Sequence, residues 1–134
     1  MEAWQQWREM ARESAKAAQQ VEAEGCLRSS ASRYYYAAYQ AVTAVLLYRK
    51  LTPPDTEEAW SHAVTPQLLE EHFEPLIRSK DRRQNLAYRL SELYKLRILA
   101  DYRGSKRIDE KQMNAARRDA GYIVKVAERI LPEG

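Results

Sequence analysis

Glycine and proline cut this chain into long helix-forming stretches, and they do so sparingly. There are four glycines and five prolines in 134 residues. Alanine, leucine, glutamate, glutamine and arginine fill the intervals, and no convincing strand pattern interrupts them. A first helix is expected over 2–24, stopped by Gly25, because glycine is favoured just past a helix end. A second is expected over 27–50, ended by Pro53-Pro54. Asp55 with Glu58 reads as a capping box opening a short turn around Trp60. Thr65-Pro66 reads as an N-cap followed by proline at the first helical position, opening a short helix over 65–73 ahead of Pro75. A fourth long segment is expected over 82–102, ending near Gly104. The last runs over 110–131, between an Asp109/Gln112 capping box and Pro132. The fold class predicted is all-α. It is an up-and-down four-helix bundle with an extra short helix, one domain over 1–134 with length enough for a real core.

Several function classes are set aside by what the sequence lacks. No apolar run approaches the ~20 residues that cross a bilayer. The opening Met1-Glu2-Ala3-Trp4-Gln5-Gln6 has no basic-then-apolar signal layout. The single Cys26 excludes an intramolecular disulfide and reads as a small residue near a helix start. These features predict a soluble, cytoplasmic protein with no membrane partner. There is no HExxH, CxxC, EF-hand spacing, glycine-rich phosphate loop or GxSxG elbow, and no paired Glu-x-x-His of the di-iron bundles. No metal and no cofactor are therefore expected.

The net charge of +3 hides an asymmetry. Residues 1–77 carry 7 basic and 11 acidic side chains, whereas residues 78–118 carry 13 basic and 5 acidic. Such a concentration suits a phosphate or an acidic partner surface. It equally suits a solvated helix exterior.

Two segments mix arginine and tyrosine into apolar helix faces. One is Ser32-Arg33-Tyr34-Tyr35-Tyr36-Ala37-Ala38-Tyr39-Gln40-Ala41; the other is Leu93-Tyr94-Lys95-Leu96-Arg97-Ile98-Leu99-Ala100-Asp101-Tyr102. Leu86, Leu90 and Leu93 form a stripe at helical spacing, and Arg97 stands where the pattern predicts leucine. An arginine there needs an anionic partner or an opening to solvent. Asp101, four residues on, shares its face and offers one. The tyrosines at 34, 35, 36 and 39 cover nearly the whole circumference of their helix, so at least two belong to the core. His62 lies in the long connection, and His72 near the end of the short helix suits a C-terminal cap. These segments predict a shared polar cleft in which Arg33 or His62 lines the Arg97 side chain and Asp101 or Tyr102 restrains it.

Taken in order, these residues resemble the HEPN family (higher eukaryotes and prokaryotes nucleotide-binding), in its small stand-alone prokaryotic form. The family's second helix is similar to Arg33-Tyr34-Tyr35-Tyr36-Ala37-Ala38-Tyr39. Its connection carries a histidine, matched by His62, and then an aromatic, matched by Phe73. Its fourth helix ends in an arginine followed by Asp-Tyr, as in Arg97 through Asp101-Tyr102, and its last opens as Ile108-Asp109-Glu110-Lys111-Gln112 does. The resemblance spans residues 5–131. It implies a bundle that commonly forms a homodimer and often acts beside a small nucleotidyltransferase as toxin and antitoxin. Catalytic relatives are metal-independent ribonucleases with an Arg-x4-6-His motif. No histidine follows Arg97 here; Asp101 stands about where it would be, and an ordinary aspartate is a poor proton shuttle near neutral pH.

Three readings result. The first is a domain that binds a nucleotide, nucleic acid or a cognate nucleotidyltransferase through Arg33, Tyr36, His62, Arg97, Asp101 and Tyr102. The second is a metal-independent endoribonuclease toxin with His62, Arg97 and Tyr102 as catalytic candidates. The third is a non-catalytic protein-interaction module. A homodimer with the second or fourth helix at its interface is expected.

Overall fold

The computed structural model describes residues 1–74 and 76–133; Pro75, expected to bound the short helix, lies outside them. Five helices follow in order: α1 (Ala3–Ala23), α2 (Leu27–Tyr48), α3 (Thr65–His72), α4 (Lys80–Tyr102) and α5 (Glu110–Ile130). No strand occurs among the described residues. This is the expected all-α bundle of four long helices, with the short one in the connection between α2 and α4.

α2 is the centre of the bundle, packing against α1, α3, α4 and α5. Its sequence explains why. Ala31, Ala37, Ala38, Ala41 and Ala44 are all buried, and their small side chains let neighbouring helices come close. Tyr34, Tyr35, Tyr39, Val42, Val45 and Leu46 fill the spaces between. Burying large apolar side chains of this kind stabilises by about 1.5–3 kcal/mol each before conformational entropy is subtracted.

The helix ends use local chemistry. Gly25 takes φ +81°, which lets its N–H reach Glu22 O and the Cys26 N–H reach Val21 O, each at 2.9 Å. Two last-turn carbonyls of α1 are thereby satisfied. The Asp109/Gln112 box opens α5 as expected, with reciprocal bonds of 2.7 and 2.9 Å. Four expectations differ. α2 ends at Tyr48 and not at Lys50, because Lys50 turns to φ +70° and its N–H closes onto Leu47 O at 2.9 Å. α4 begins at Lys80 and not at Arg82, because the Ser79 side chain accepts the Arg82 N–H at 3.2 Å. The Asp55/Glu58 box does not form. Asp55 sits at φ +52°, outside the extended range an N-cap uses, and Glu57 N–H instead closes a turn onto Pro54 O. Thr65 is already helical. Its hydroxyl donates back to Ser61 O at 2.7 Å and does not cap.

Both ends of α4 are clamped by arginine. Arg83, 8% exposed, donates to Glu70 O, Ile77 O and Arg78 O at 2.8–3.0 Å. Arg28, from α2, donates to Ala100 O at 2.6 Å, to Arg103 O at 3.1 Å and to Lys106 O. The guanidinium forks meet carbonyls at a helix end or in a loop, and Arg103 O also accepts the Lys106 N–H at 3.0 Å. No helix among the described residues is long and apolar enough to cross a membrane.

Two substitutions test this packing in urea denaturation. Arg83→Met removes donors from three carbonyls and is expected to lower stability by about 2–4 kcal/mol. Gly121→Ala acts in the opposite direction. Gly121 is exposed inside α5 and a Cβ there meets nothing within 4 Å, so stability should rise by about 0.5–1 kcal/mol.

Candidate functional site

Arg97 continues the buried stripe of Leu86, Leu90 and Leu93, as the sequence pattern requires. Its side chain is only 13% exposed. The Arg97 Nε lies 2.9 Å from Asp101 Oδ2, one turn along α4. Its N–H is not aimed at the carboxylate, so the contact is a charge pair more than an aligned hydrogen bond. The guanidinium carbon lies 5.3 Å from the Tyr36 ring centroid and 5.5 Å from that of Tyr102. An arginine that cannot be a leucine is thus accommodated by one carboxylate and two aromatic faces. No hydrogen bond among the described residues uses its terminal nitrogens. Asp101 is itself held from α2, accepting from the Ser32 hydroxyl at 3.3 Å.

His62 reaches the same place from the connection. Its Nδ1 is 2.5 Å from the Tyr35 hydroxyl, and its ring stacks on Tyr94 with 16° between planes and centroids 5.4 Å apart. The rings of Tyr39 and Tyr36 border it at 4.6 and 5.9 Å. Tyr39 is fixed in turn by donating to Trp60 O, two residues before His62. An imidazole in such a cage is hard to protonate. Burial first, then the positive charge of Arg97, holds the His62 pKa below the usual histidine value. His62 is therefore neutral at pH 7, and its Nδ1 is engaged while Nε2 has no partner among the described hydrogen bonds. Burial and the surrounding tyrosines push the Tyr35 hydroxyl far upward, so it remains a protonated phenol.

The structure brings Tyr36, His62, Arg97, Asp101 and Tyr102 into one cluster. Tyr102 is 67% exposed, so the cluster opens to solvent on its side. Arg33 is exposed on α2, and no ion pair among the described residues holds it. His72 ends α3, makes a loose 3.9 Å contact with Glu71 and stands outside the cluster. Cys26 is exposed at the start of α2. Tyr35 and Tyr94 were not singled out from sequence, yet they hold His62. The signal for Tyr94 was its place three residues before Arg97, hence on the same face. Tyr35 carried no distinguishing signal among four neighbouring tyrosines. Among the described residues no three His, Cys, Asp or Glu side chains gather as metal ligands. The turn after Tyr102 adds Arg103, Lys106 and Arg107, all exposed and none in an ion pair with a described carboxylate.

A helical bundle with an arginine–histidine–tyrosine cluster between its central helix and its fourth long segment defines a class that comparison with known families resolves. The HEPN domain family model matches residues 4–132, nearly the whole chain. The chain belongs to the HEPN domain family, whose helical domains are connected with nucleotides and RNA. Comparison with curated proteins finds no match.

The coupling of Arg97 to His62 is open to measurement by NMR. The His62 imidazole should titrate below about 6.5, the ordinary histidine value. Arg97→Ala should move it upward, because a repelling positive charge is removed. The sign for stability follows. A depressed folded-state pKa favours the neutral ring, so this contribution is present above about pH 6.5 and is lost as pH falls through the folded-state pKa.

Proposed function

We propose that this single HEPN unit, residues 1–134, binds the phosphate of a nucleotide or nucleic acid at the Arg97 cluster. One observation carries the reading: the Arg97 guanidinium is positioned by Asp101, Tyr36 and Tyr102, while no hydrogen bond among the described residues uses its terminal nitrogens. A fixed guanidinium with donors to spare suits a phosphate oxygen pair. The Asp101 carboxylate opposes an anion. The exposed Arg103, Lys106 and Arg107 next to Tyr102, with Arg33 on α2, supply the surplus positive charge that offsets it. The ligand-binding set is therefore Arg33, Tyr36, His62, Arg97, Asp101 and Tyr102.

The domain acts as a homodimer in this reading. Tyr88 and Tyr102 stand 61% and 67% exposed on α4, and aromatic rings at such exposure suit a protein partner. The partner is a second copy or a nucleotidyltransferase, as in a toxin–antitoxin pair in the cytoplasm.

A second reading is favoured by a specific observation. A histidine comes to the cluster from the connection, where His62 is neutral, feels the charge of Arg97 and shares the Tyr36 ring with it as a neighbour. A neutral imidazole is a general base, and a guanidinium stabilises charge on a scissile phosphate. In this reading the protein is a metal-independent endoribonuclease using His62, Arg97 and Tyr102.

The test is fluorescence anisotropy with labelled RNA in chelator, followed by gel analysis of the same samples. Binding is expected to weaken steeply as salt rises and to fall about tenfold in Arg97→Ala, with the RNA left intact. RNA cleaved by the native protein but not by His62→Ala would establish the second reading. Binding unaffected by Arg97→Ala would exclude a phosphate site there.

A further inference from the structure

A cavity of about 120 Å³ opens between the start of α3 and the middle of α4, on the side of His62 bordered by Ser91. Its walls include Tyr35, His62, Tyr94 and Ala63, with Ser91 and Lys95 at its border. At about 30 Å³ of liquid volume per water, it holds the equivalent of about four waters. That is room for one flat ring and not for a sugar with its phosphate.

The composition of the walls narrows the occupant. Aromatic rings accept another π-face without regard to its hydrogen-bonding edge. His62 and Tyr94 are already stacked on one another, which fixes both rings in place before anything arrives. The Tyr35 hydroxyl is taken by His62, so the floor is apolar at that point. The polar groups are at the border: the Ser91 hydroxyl, and Lys95, whose side chain is 74% exposed with its amine 3.0 Å from Glu92. A ring with a polar rim fits such a slot better than an aliphatic chain does.

The slot is also placed for it. His62 is a wall of the cavity and borders the Tyr36 ring that faces Arg97. Arg97, Tyr36, His62 and the slot thus form one continuous series of neighbours. We propose that this cavity receives one unpaired nucleobase, which makes the ligand class single-stranded nucleic acid. A base inside a duplex is stacked and paired and cannot enter. The inference rests on Arg97 being the phosphate site.

The experiment compares three labelled ligands of equal length by anisotropy: a single strand, the same strand in a duplex, and an abasic phosphate backbone. The single strand should bind about tenfold tighter than either of the others. Ala63→Trp and Ser91→Phe fill the slot from opposite walls. Each should reduce the single strand to the affinity of the abasic backbone while leaving the backbone's own affinity unchanged. Ala63 is exposed in the turn before α3, so at least that variant should keep the native melting curve. Arg97→Ala should weaken all three ligands together. If the native protein binds single strand, duplex and abasic backbone equally, the base slot is overturned, and the phosphate reading stands if Arg97→Ala still weakens them. A single-strand preference that survives both filling variants also overturns the slot. If Arg97→Ala changes none of the three, the phosphate reading fails and the inference falls with it.

Discussion

The position of α4 depends on two arginines donating to backbone carbonyls. Arg83 holds its beginning to the end of α3 and to the segment that follows it. Arg28 holds its end to α2 and gathers the turn toward α5. Each guanidinium reaches several carbonyls that neither helix nor sheet could satisfy. Leaving the shielded ones unpaired, those at Arg83 and at Ala100, costs about 1–3 kcal/mol apiece, a large share of a small domain's margin. The α2–α4 seam carries Ser32, Tyr35 and Tyr36 on one side and Tyr94, Arg97 and Asp101 on the other. A shift of α4 by a fraction of a turn would dismantle it. The clamps are therefore as much a condition of the site as of the fold.

Against that background Arg97 is the odd arginine. Arg28 and Arg83 spend their donors on carbonyls, and Arg12, Arg89 and Arg117 pair with carboxylates from other helices. The Arg117–Glu22 pair is itself reinforced by the Tyr34 hydroxyl, which donates to Glu22 at 2.6 Å. Arg97 lies deeper than those three yet has only an intrahelical carboxylate and ring faces. Its partners fix its direction without using its capacity. The one buried atom left without an aligned partner is its Nε, which lies beside Asp101, while the terminal nitrogens are not shut away from solvent.

The helices were legible because their punctuation is local. Gly25, the Asp109/Gln112 box and Pro132 act on the residues beside them, and the boundaries they marked agree within a residue or so. Ser79, a favoured N-cap, starts α4 two residues ahead of the expected Arg82. The 55–58 segment departs from its pattern for a different reason. A capping box requires an extended backbone at its first residue, and the sequence pattern cannot report that Asp55 is turned into the left-handed region. In the cluster, the Arg97–Asp101 contact was legible because four residues on a helix is one turn. The clamps made by Arg28 and Arg83 were not, since their partners are carbonyls, which every residue possesses.

The placement of His62 shows why a motif and a site differ. A motif fixes residues along one element, and the arginine-to-histidine spacing of ribonuclease relatives is of that kind. Here the chain leaves α2, passes Pro53-Pro54 and returns through Trp60 to bring a histidine against the same helix face. The Tyr39 hydroxyl fixes that return by binding Trp60 O, and Tyr35 and Tyr94 fix the ring itself. The imidazole thus joins the Arg97 cluster from 35 residues away in sequence. Its environment is also different from that of a histidine on α4 itself. It is caged by tyrosines and repelled by Arg97, and both effects keep it neutral. A neutral ring beside a guanidinium adds no second positive charge to bind phosphate. It contributes an aromatic face and a proton acceptor. The cluster therefore divides its chemistry, with charge on α4 and the ring on the connection.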